Sequence, residues 1–201
     1  MALPSNFKSK SGKQSVISSF NTFLTEQIVD GEIHDGSTIT LSGGKEFWWF
    51  FDYPLASLLF PSISINEVGL FTKASKAFGR LLGHDSSGVP VKGEENQTLI
   101  EINCWAKDTA SQANGTRIVR ELRDKVMYTL LNAGEFDEIT DQLVIPKIDL
   151  IDFTQPSEPV IGTIRIDRAD NAIDEKYIVD AVDQNIKRYR LLVRIFWFEL
   201  T

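Results

Sequence analysis

Apolar and polar positions alternate over Thr98–Lys107. Ile100, Ile102, Cys104 and Ala106 share one parity, while Glu101, Asn103 and Lys107 fall on the other, as a half-buried strand requires. Asp108-Thr109 then supply capping residues, and Ile118, Val119, Leu122, Val126, Leu130 and Leu131 recur at helical spacing. Asn132-Ala133-Gly134 predicts the stop, because glycine takes the left-handed conformation at no steric cost. A strand running into one long amphipathic helix is the best-ordered pattern in the chain. None of its residues carries an evident chemistry.

The same periodicities predict the remaining elements. Val16, Ile17, Phe20, Phe23, Leu24 and Ile28 mark a helix over about 14–29, preceded by a polar leader, 1–13, read as flexible. Ser37–Leu41 reads as a short strand, turned by Gly43-Gly44 into the aromatic run Glu46–Tyr53. That run carries large side chains on both parities, so it is either a strand covered on both faces or a strand with one face left for a partner. Ser62–Val68 alternates as a further strand. Residues 72–97 read as an inserted long loop around a short helix, with Phe71, Ala74, Phe78, Leu81 and Leu82 on one side and Lys73, Lys76 and Arg80 on the other. Strand material follows at 142–145, 147–153 and 160–167.

The last segment, Arg188–Leu200, places Arg188, Arg190, Leu192, Arg194 and Phe196 on one parity and Leu191, Val193, Ile195 and Trp197 on the other. It predicts a long strand with one apolar and one mixed face. The sum is an α+β chain: a mostly antiparallel sheet with two or three helices packed mainly on one face and one long inserted loop.

Composition narrows the function classes. With 201 residues and 42% apolar content the chain can bury a sizeable core as one domain, 14–201, behind its leader. Asp and Glu number 28 against 21 Lys and Arg, a net charge of −7. This excludes a general nucleic-acid binder that neutralises phosphates with a basic face, but suits a wall past which DNA slides. A single cysteine excludes an intramolecular disulfide and a multi-cysteine metal site, and its apolar parity predicts a buried thiol. No hydrophobic leader and no run long enough to span a bilayer is visible, so a soluble chain made in a reducing cytoplasm is expected.

Catalytic signatures are missing: no phosphate-binding loop, no HExxH helix, no GxSxG elbow and no EF-hand loop. His34 and His84 lie in glycine-bearing segments without a second ligand. The acidic groups Glu94-Glu95, Glu135/Asp137/Glu138/Asp141, Asp149/Asp152 and Asp167/Asp170/Asp174/Glu175 could gather a divalent cation. Asp149 and Asp152 have opposite strand parity, however, and the other groups read as solvated surface. The reading is therefore of a non-enzymatic chain with no cofactor and no metal. Trp48, Trp49 and Phe50, with Phe71, Phe78 and Leu81, are candidates for subunit or partner contact. Arg188, Arg190 and Arg194 are candidates for ion pairs, within the sheet or with a neighbour's acids.

The segment Leu99-Ile100-Glu101-Ile102-Asn103-Cys104-Trp105-Ala106-Lys107-Asp108, followed by Thr116–Val126, resembles the strand-and-helix unit of tailed-phage tail terminator (tail-completion) proteins. The unit covers about 35 residues, and the looser order of elements resembles that family over most of the chain. The resemblance implies a homohexameric ring that caps the tail tube, ends its polymerisation and joins the tail to the head at the neck. Its partners would be further copies of itself, the tail tube protein, and a neck, connector or head-completion protein. DNA would pass through the channel without specific binding, and no membrane would be involved. It implies a bacteriophage structural protein located in the virion, after assembly in the host cytoplasm. A head-completion or connector ring is the alternative within virus assembly, and a metal-dependent enzyme or a monomeric binding module the alternatives outside it.

Overall fold

The computed structural model describes residues 7–51, 59–71, 80–84, 90–109, 113–132, 136–137, 142–143, 147–153, 156–166 and 173–200. In chain order these form α1 (Phe7–Gln27), β1 (Gly31–Ile33), β2 (Phe47–Phe51), β3 (Ser62–Phe71), β4 (Arg80–His84), β5 (Pro90–Lys107), α2 (Gly115–Asn132), β6 (Phe136–Asp137), β7 (Gln142–Leu143), β8 (Lys147–Ile151), β9 (Val160–Ile166), β10 (Ile173–Val179) and β11 (Ile186–Leu200). The architecture is α+β, dominated by one curled sheet of order β1-β2-β3-β5-β11-β9-β8. Strand β4 pairs with β5, β10 pairs with β11, and β6 and β7 form a separate two-stranded ladder. Most pairings are antiparallel, but β1–β2 and β2–β3 are parallel.

Alternation sorts the sheet into two faces. Ile100, Ile102, Cys104 and Ala106 of β5 lie beside Ile63 and Ile65 of β3 and Leu191 and Val193 of β11 on one face. Both helices pack there. Val16, Phe20, Leu24 and Ile28 from α1 and its exit, and Val119, Leu122, Val126 and Leu130 from α2, join these strand residues in one buried cluster. Burial of each such side chain contributes about 1.5–3 kcal/mol. The thiol of Cys104 lies inside this layer, and burial pushes its pKa far above the ordinary thiol value.

Helix α2 starts at Gly115, later than a cap at Asp108-Thr109 implies, yet Asp108 still caps it across the intervening residues. The Asp108 carboxylate accepts the Gly115 N–H at 2.7 Å, and a Cβ on Gly115 would stand 2.8 Å from that oxygen. Lys125, midway along α2, reaches Asp30 Oδ2 at 2.8 Å and Glu46 Oε2 at 2.6 Å, clamping the helix over the α1–β1 turn and the entry to β2. Burial opposes the ammonium charge, but the hydrogen bonds to Asp30 and Glu46 outweigh it and raise the Lys125 pKa.

Several expectations are corrected. Helix α1 begins at Phe7, inside the span read as a flexible leader. Residues 37–41 form no strand: Asp35 Oδ1 accepts the Ser37 N–H at 2.8 Å and the Thr38 N–H at 3.3 Å, bending the backbone away from a ladder. The short helix expected around Phe71–Leu82 is replaced by strand at both ends, with Phe71 closing β3 and Leu81-Leu82 within β4. The remainder of that span, 72–79, lies outside the described residues. Lys92–Asn96, read as loop, belongs to β5 and pairs with β4 and β11, so most of the described insertion is sheet rather than loop. The stop at 133–134 and the strand residues 144–145 lie outside the described residues.

Gly31 sits where no side chain fits. A Cβ there would stand 2.0 Å from Trp49 Nε1 and 2.7 Å from Phe47 Cε2. Gly31→Ala is therefore expected to lower stability by about 2 kcal/mol through overpacking, read by urea denaturation. Lys125→Met should cost about 1 kcal/mol at neutral pH. Because the folded-state pKa of Lys125 is raised, that contribution is fully present below the ordinary lysine value. The difference between the two proteins should shrink as pH rises through the folded value, in melts recorded along a pH series.

Candidate functional site: the arginine face of the sheet

The face away from the helices is ordered by the central ladders into cross-strand rows. Ser62, Trp105 and Arg188 form one row, Ser64, Asn103 and Arg190 the next, and Asn66, Glu101 and Leu192 a third. Trp105 Nε1 donates to Ser64 Oγ at 3.1 Å. The Arg188 guanidinium lies over the Trp105 ring, 4.9 Å from its centroid, and reaches Glu101 Oε1 at 3.4 Å. Asn103 Nδ2 donates to the same carboxylate oxygen at 2.8 Å. One carboxylate thus orients an amide and a guanidinium, and the indole covers the cation, a combination that fixes an arginine in a partly desolvated place. Arg190 reaches Asp174 Oδ2 on β10 at 3.8 Å.

Burial falls off across this face. Trp48, Ser62, Ser64, Asn103 and Trp105 are buried. The Arg188 and Arg190 side chains are 18% and 28% exposed, and Arg194 on β11, Lys176 on β10 and Arg165 on β9 are exposed. Register places all five cations on the same face, since Lys176 pairs with Arg190 and Arg165 with Phe196. They share it with the carboxylates of Glu101, Asp149 and Asp174. In a chain of charge −7 this is a local reversal of sign. The covered part of the face is imperfectly paired: among the described residues, Ser62 Oγ, both amide atoms of Asn66, Asn103 Oδ1 and Arg190 Nε have no hydrogen-bond partner.

The candidate residues divide accordingly. Trp48 and Trp49, 2% and 1% exposed, are spent on the chain's own packing, so the aromatic run is covered on both faces at these positions. Trp49 meets Phe47 edge-on in the helix-side core. Trp48 and Phe50 lie on the arginine side and hold His34, whose ring centroid is 5.3 Å and 4.9 Å from theirs. Phe71 ends β3 beside Gln97, Leu81 lies in β4 beside Lys92, and Phe78 lies outside the described residues. Arg188, Arg190 and Arg194 are brought together. Trp105, Glu101, Arg165 and Lys176 join them through strand register, a signal absent from local sequence. The fold brings His34, named in the sequence only as a histidine without a second ligand, against Trp48 and Phe50.

Among the described residues no group of three or more His, Cys, Asp and Glu side chains converges on a point that could hold a metal ion. No helix among them is long and apolar enough to cross a membrane. No protein-family model matches the chain, and no characterised protein matches it.

Removing the paired cation should destabilise this face: Arg188→Ala is expected to cost roughly 2 kcal/mol through lost stacking and the stranded Glu101 carboxylate. Asn66→Leu should act in the opposite direction, raising stability by about 1 kcal/mol, since an unpartnered amide is replaced by an apolar group of similar size. Urea titrations of both variants check the pair of signs.

Proposed function

We propose that the chain is a non-enzymatic virus-assembly protein of the tail terminator type, which forms a ring on the end of a tail tube. The observation that carries this reading is the unit from Leu99 to Val126: a strand ending in Trp105-Ala106-Lys107, then Asp108, whose carboxylate caps the first residue of an arginine- and glutamate-bearing amphipathic helix. This unit lies at the middle of a curled sheet with the helices on one face and charged side chains on the other. A ring of such subunits uses one patch of each copy against a different patch of the next. Its action is geometric. One side of the ring accepts the last layer of tube subunits, and the other side presents a surface that no further tube subunit fits and to which a neck protein docks. The acidic balance of the chain suits a channel through which DNA moves without adhering.

The test is negative-stain imaging of the purified protein, alone and mixed with tail tubes, together with its mass in solution. Rings with a central channel, or density sealing one end of each tube, are expected. A monomer at every concentration that leaves tube ends bare would sink the proposal.

A further inference from the structure

We draw no further inference here: the strongest candidate, the surface patch formed by strand β10 and its turn into β11, where Tyr177, Val179 and the 97% exposed Val182 stand out, carries nothing, because its acids Asp174, Glu175 and Asp183 already pair with Arg190, Arg123 and Lys107 within the chain and nothing in the structure shows what covers it.

Discussion

The antiparallel pairing of β5 with β11 is the constraint on which the rest of the sheet depends. Fifteen consecutive residue pairs, from Lys107–Ile186 to Gly93–Leu200, fix one register along the full length of β11. Every other strand of the main sheet is attached to this pair directly or through one or two neighbours. Side chains alternate with a period of two, so a slip of β11 by one residue against β5 would carry Leu191 and Val193 to the arginine side and Arg190 into the helix layer. Apolar burial on one face and ion pairing on the other therefore enforce the same register independently.

The two faces are held by different physics. On the helix side the small side chains of Cys104 and Ala106 lie among Val119, Leu122 and Val126, and dispersion and the hydrophobic effect suffice. On the arginine side polar groups hold one another, and the carboxylate of Glu101 serves two of them at once. Trp105 belongs to both economies: its ring shields Arg188 while its N–H satisfies Ser64. Where a side chain on this face holds a partner, as Glu101 does, an apolar replacement leaves a neighbour unpaired rather than merely underpacked.

What could be read from sequence follows from how each element is stabilised. Strand β5 beyond Thr98, helix α2, strand β11 and the strand at 62 are half-buried, and half-burial writes a period into the sequence. Strands β4 and β10 are not legible in the same way. β10 has charged residues at Asp174, Glu175 and Lys176 and is largely exposed, and its pairing is dictated by β11 rather than by its own composition. β1 is three residues long and depends on Gly31 lying against Trp49. The inserted segment read as loop because Lys92, Gly93, Glu94 and Glu95 are poor strand formers, yet ladders on both sides override that preference. The arginine row was visible as a parity pattern in β11. Its membership was not, because Arg165 and Lys176 join it only through registers between strands distant in sequence.

The position of β11 within the sheet has a consequence for the order of events during synthesis. It is the last of the described strands along the chain and occupies the middle of the sheet, between β5 on one side and β9 and β10 on the other. Until residues 186–200 have emerged from the ribosome, β5 presents an unpaired edge, the β8–β9 pair has no strand to dock on, and β10 has nothing to align on. The nascent chain can form α2 and the β3–β5 pairing, which are more local, but its sheet closes only by a late, long-range docking step of the kind that makes folding slow and partly folded chains sticky.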